Sequence, residues 1–216
     1  MPCSLFTALT RARLYAICDL GYLTKEQALP VSRSLLEGGA GILQLRAKGH
    51  QPDSLLSLAV QLRALCEEFS VPFIVNDHAQ LAVESHAHGL HLGQDDGSLE
   101  AARNAVASNV IVGRSTHSLE QANKALAEGA DYIGFGPLFP TPTKLGRPGI
   151  GLGDISAMDN QVGCKIPAFC IGGIKPDNLP AVLDAGARRV VIVSHLLTHS
   201  YPADATRSVI SQIPIL

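Results

Sequence analysis

Residues able to do chemistry recur along this chain, each group just past a short apolar run. Gln44, Arg46 and Lys48 come first. On an extended chain a spacing of two points side chains the same way. An amide donor with two cations then suits a polyanion such as pyrophosphate. A solvated strand end would look the same, and this motif alone leaves both readings open. Asn76-Asp77 and Gln94-Asp95-Asp96 follow the next two runs. Magnesium takes oxygen ligands, uses one or two carboxylates, and completes its shell with water and phosphate oxygens. Asp77 and Asp96 are therefore candidate ligands, although in isolation helix capping by Asp77 and a turn at Asp95-Asp96-Gly97 is the simpler account. His91, alone on an apolar run, reads as core.

In Gly113-Arg114-Ser115-Thr116-His117, Ser115 could donate to a phosphate, while Arg114 and His117 could equally be structural. The sharpest local signal is Pro140-Thr141-Pro142-Thr143-Lys144. Thr141 and Thr143 flank a stiffening proline, and Lys144 adds a cation, so donors and charge come together with little freedom to lose. Gly146, Gly149 and Gly151 would let this loop close as a lid. Farther on, Gly172-Gly173 would expose backbone amides, and Val193-Ser194 stands at a helix entrance. Amides there suit a second phosphate.

These groups need elements to position them. Short apolar runs alternate with amphipathic stretches, as in a wound α/β chain. Strands are expected at residues 14–17, 42–45, 73–75, 89–92, 110–112, 132–135, 168–171 and 189–193. Helices are expected at 25–36, 52–69, 79–84, 99–106, 119–128, 177–185 and 203–213. Ser98 and Ser118 read as N-caps, and Gly38-Gly39 and Gly129 as helix stops. The apolar strands lack clean alternation, which fits a parallel sheet buried on both faces. An open sheet would gather only the loops at its switch point. Polar residues after nearly every strand favour a (β/α)8 TIM barrel, whose strand ends share one mouth. A single such domain is expected over residues 1–216.

The formal charge of −2 argues against a nucleic-acid partner. The five cysteines form no CxxC pair, so neither structural zinc nor a disulfide framework is expected. Cys164 and Cys170 read as buried apolar fillers. Neither a secretory signal nor a membrane span is evident, and the cytoplasm is the default location. Self-association is left open.

The ordered set resembles the thiamin phosphate synthase (thiamin-phosphate pyrophosphorylase) family. It is carried by Gln44-Leu45-Arg46-Ala47-Lys48, Ile74-Val75-Asn76-Asp77, His91-Leu92-Gly93-Gln94-Asp95-Asp96, Gly113–His117, Gly134-Phe135-Gly136-Pro137 with Pro140–Lys144, Ile171-Gly172-Gly173-Ile174 and Val193-Ser194. The resemblance implies two small-molecule substrates, a hydroxymethylpyrimidine pyrophosphate and a hydroxyethylthiazole phosphate, giving thiamin monophosphate and pyrophosphate. It implies that Gln44, Arg46 and Lys48, helped by Asn76, Ser115 and Lys144, hold the pyrophosphate. Asp77 and Asp96 would bind Mg2+. Thr141, Thr143, the backbone at Gly173, and Val193-Ser194 would hold the thiazole phosphate. Arg46, Lys48, Ser115 and Lys144 would carry the catalysis.

Such chemistry fits the residues. An aminopyrimidine stabilises its own carbocation, so no covalent nucleophile is needed, and charge on the leaving group is the main demand. The chain departs from the family pattern at His78, often Arg, at Cys18, commonly Thr, and at Gly97, usually apolar. A thiazole tautomerase of the same fold and a non-catalytic barrel that senses thiamin intermediates are the rivals; neither needs the leaving-group cluster that this chain retains.

Overall fold

The computed structural model describes residues 5–141 and 148–216. Eight parallel strands hydrogen-bond in sequence order and close on themselves: β1 Leu14–Asp19, β2 Ile42–Arg46, β3 Phe73–Asn76, β4 Gly89–Leu92, β5 Ile111–Thr116, β6 Tyr132–Phe135, β7 Ala168–Ile171 and β8 Val190–Ile192. The expected barrel is therefore present. Helices α2 (Lys25–Glu37), α3 (Leu56–Glu68), α4 (Ala79–Glu84), α5 (Leu99–Ala105), α6 (Leu119–Ala127), α8 (Leu179–Asp184) and α10 (Pro202–Gln212) occupy the expected places, and a short α9 (Ser194–Leu197) follows β8. Ser98 and Ser118 accept from the Ala101 and Gln121 amides, and Gly39 and Gly129 take the left-handed conformation that ends a helix. Among the described residues no helix is long and apolar enough to cross a membrane.

Strand alternation separates two cores. Leu14, Ala16 and Cys18 face outward and pack with the helices. Tyr15, Ile17, Ile42, Ile74, Ile111, Tyr132, Phe169 and Val191 fill the barrel. Each such side chain contributes about 1.5–3 kcal/mol by leaving water. Interior packing also explains Gly113, because a Cβ there would fall 2.1 Å from Cζ of Tyr132. β5 gives up a side chain so that β6 can place a phenol in the barrel.

One element is unexpected, and three expectations are corrected. A helix at the start, α1 (Leu5–Arg11), has too little periodicity to announce itself; Leu5 and Leu9 pack beneath the barrel interior and supply its reason to form. Cys164 is exposed, because the chain after α7 (Ile155–Met158) makes a π-helical turn, Asp159–Gly163, that carries it outward; Cys170 is buried as expected. The expected helix 52–69 divides into a 3-10 turn, Pro52–Leu55, and α3. β5 runs on to Thr116, whose partner on β6 is Phe135, so Arg114 and Ser115 lie within the strand rather than after it. Their side chains therefore take opposite sides. Thr143, Lys144 and Gly146 lie outside the described residues.

Candidate active site

The carboxyl ends of the strands surround a pocket of about 890 Å³, counted to its open mouth. Of the expected site residues, Gln44, Arg46, Asn76, Ser115, Thr141, Gly173, Val193 and Ser194 line it. Six separate strand ends and their loops supply them. Arg46 is held by Asp19, its register partner on β1, with Nη1 2.7 Å from a carboxylate only 1% exposed. Asp19 also accepts from the Gly21 amide at 2.9 Å, so both its oxygens are engaged. This aims the guanidinium across the mouth.

Lys48, Asp77 and Asp96 form a second cluster, one residue past Asn76. Lys48 Nζ stands 3.7 Å from Asp77, at an exposed position on the rim. Asp77 adopts φ +66, unusual for a residue with a side chain, while its amide donates to the His91 carbonyl at 2.8 Å. Asp77 does not cap α4; His78 occupies that position. Burial raises the Asp77 pKa to about 6, helped by a hydrogen bond and repulsion from Asp96 and opposed by Lys48 and His78. Asp96 moves the other way: burial opposes its ionisation, but the proton held by Asp77, the Gly93 amide, Lys48 and Arg114 outweigh that. Ionisation of Asp96 thus disfavours ionisation of Asp77. The turn expected at Asp96 is present as well, since Gly93 donates to Asp96 Oδ2 at 2.8 Å.

Arg114 and His117 prove structural. Arg114 donates to the carbonyls of Gly97 at 2.6 Å and Gln94 at 3.2 Å, tying the loop that carries Asp96 to β5. His117 bonds the Gly136 carbonyl. Opposite, Gly172 and Gly173 both have positive φ, and a Cβ on Gly172 would come within 2.4 Å of Pro137. The glycine pair lets the loop after β6 lie against the loop after β7, with Leu138 and Phe139 donating to the Ile171 and Gly172 carbonyls.

The sequence reasoning missed the pocket floor. Tyr15 donates to Gln44 Oε1 at 2.6 Å and lies 3.0 Å from the Tyr132 hydroxyl. His91 bonds Tyr132 through Nδ1 and Ser115 through Nε2, each at 2.9 Å. His91 is thus a pocket residue rather than inert core. A polar tip on residues 15, 91 and 132, each on an inward-facing strand position, was the available signal.

The family profile described as thiamine monophosphate synthase matches residues 14–196. The thiamine-phosphate synthase of Thermus thermophilus is 44% identical over 183 residues, covering 85% of this chain and 87% of its own length. That of a Nostoc species is 40% identical over 95% of this chain, which spans only 57% of that relative. Among solved structures, the thiamine phosphate pyrophosphorylase of Pyrococcus furiosus superposes with a TM-score of 0.83 at 32% identity, covering 94% of this chain and 96% of that one. The profile match runs through every strand from which the pocket is built, and the chain belongs to the thiamine monophosphate synthase family.

Proposed function

We propose that the protein joins a hydroxymethylpyrimidine pyrophosphate to a hydroxyethylthiazole phosphate, releasing pyrophosphate and thiamin monophosphate. The observation that carries this reading is the convergence of Arg46, Gln44 and Asn76 on one wall of a pocket whose opposite wall holds Thr141, Gly173 and Ser194. Two anionic groups can sit on either side of one reaction centre.

The Asp77–Asp96 pair fits a magnesium ion. Two carboxyls in contact, with one pushed up in pKa, make a site that a cation relieves. Among the described residues no group of three or more His, Cys, Asp or Glu side chains could hold a metal. Magnesium needs only one or two carboxylates and completes its shell with water and substrate oxygens. When bound there, it would neutralise charge on the pyrophosphate.

The chain's own residues do the rest. Arg46, fixed by Asp19, brings its guanidinium charge to the leaving pyrophosphate, and Lys48 adds charge from the rim. Lys144 is proposed to join them. The C–O bond to pyrophosphate breaks first, and the aminopyrimidine carries the resulting positive charge. Thr141, Thr143 and the amides at Gly173 and Ser194 hold the thiazole phosphate, so that the ring nitrogen attacks from a fixed neighbouring position.

The test is product formation from both substrates, with and without magnesium. Thiamin phosphate is expected only when both substrates and the metal are present. Turnover unaffected by a chelator would remove the metal assignment, and conversion of the thiazole alone would overturn the coupling reading. Asp96→Ala is expected to abolish turnover while thiazole phosphate still binds.

A further inference from the structure

The floor of the pocket is a hydrogen-bonded chain: Gln44, Tyr15, Tyr132, His91, Ser115. Its direction follows from distance. Tyr15 Oη lies 2.6 Å from Gln44 Oε1. That is ordinary for an O–H donor and short for an amide N–H. The other end of the same amide donates to Asn76 Oδ1 at 3.3 Å. Tyr15 therefore commits its only proton to Gln44.

The 3.0 Å contact between the phenols must then carry the Tyr132 proton to Tyr15. Tyr132 Oη, its own proton committed, accepts from His91 Nδ1. Taken as neutral, the imidazole bears one N–H, so Nε2 holds a lone pair and takes the Ser115 hydroxyl proton. Burial pushes both phenols well above the ordinary tyrosine range, so neither gives up its proton to break the order.

We propose that Tyr15 and Tyr132 are positioning residues that hold His91 in its Nδ1–H tautomer, so that Ser115 faces the pocket as a hydrogen-bond acceptor. An acceptor there matches an N–H donor on a ligand and does not suit a pyrophosphate, which offers only acceptors. The donor on the substrates above is the amine of the aminopyrimidine. That identification rests on the proposed coupling reaction, whereas the tautomer does not. Ser115 thereby moves from the leaving-group cluster, where the family resemblance put it, to recognition of the ring.

The deciding measurement is 15N NMR of the full chain labelled at histidine, without substrate, with the His91 signals identified by their loss in His91→Gln. Nδ1 is expected to be protonated and Nε2 unprotonated, and Tyr132→Phe is expected to shift His91 toward the other tautomer. A wild-type His91 protonated at Nε2, or a His91 unmoved by Tyr132→Phe, would overturn the proposal. Failure of the coupling assay would leave this result standing.

Ligand binding separates the two roles of Ser115. Ser115→Ala is expected to weaken binding of the hydroxymethyl aminopyrimidine, which lacks pyrophosphate, about five- to tenfold, as loss of one hydrogen bond implies. Binding of inorganic pyrophosphate is expected to stay unchanged. The opposite pattern would return Ser115 to the pyrophosphate and refute its role as acceptor.

Discussion

Replacing Asp19 by alanine removes the carboxylate that Arg46 Nη1 meets at 2.7 Å and the acceptor of the Gly21 amide. Breaking a buried ion pair from one side costs about 3–5 kcal/mol. Arg46 is 15% exposed and opens on the pocket, so solvent recovers part of this, and the lower end applies: about 3 kcal/mol. In a chain of 216 residues that corresponds to a fall in Tm of about 6–12 °C. Asp19→Asn keeps an oxygen for Gly21 and loses only the charge, so it falls between the two. The assay is thermal and urea unfolding in phosphate-free buffer, repeated in an Arg46→Met background. There the cost of Asp19→Ala is expected to drop to about 1 kcal/mol, that of the Gly21 hydrogen bond. An equal cost in both backgrounds would show that the pair is not coupled and that Asp19 does not aim Arg46.

Other substitutions give sharper local outcomes. Gly113→Ala forces a methyl onto the Tyr132 ring 2.1 Å away, and about 1–3 kcal/mol of stability is expected to be lost in urea melts. Gly134→Ala, whose Cβ would meet His91 at 3.8 Å and Ile171 at 3.9 Å, is expected to leave stability within about 1 kcal/mol while raising the KM for the pyrimidine substrate, because the methyl enters the pocket. His88 accepts from the Phe73 amide at 3.0 Å, and burial, aided by Arg63 and opposed by Glu67, holds its pKa below 6.5. A histidine depressed in the fold supports stability above its unfolded pKa and loses that support as pH falls through the folded value. Urea midpoints of wild type relative to His88→Asn are therefore expected to converge below about pH 6.5, and a constant gap would refute the assignment.

The barrel was legible because each strand is an apolar run ended by turn chemistry, and the strand ends carried residues that a lone domain core would not need. Arg46, Asn76 and Gly173 were found this way, since standing at the end of an apolar run is a sequence property. The floor was not, because Tyr15 and Tyr132 sit inside strands and read as ordinary core; only barrel closure brings residues 29 and 117 positions apart into one chain of hydrogen bonds. Asp19 escaped for a similar reason: its importance lies in its register with Arg46, which neither residue reveals alone. α1 forms through tertiary contact rather than its own periodicity, and Cys164 is exposed by a turn whose geometry depends on neighbours.

That first helix also governs traffic. Among the described residues, Leu5 and Leu9 stopper the barrel under the aromatic layer of Tyr15, Tyr132 and Phe169, on the side away from the strand ends that line the pocket. If two substrates couple here as proposed, both enter from the strand ends, and whichever rests deeper boards first. Order of arrival would then follow from the shape of the room, before any affinity is considered.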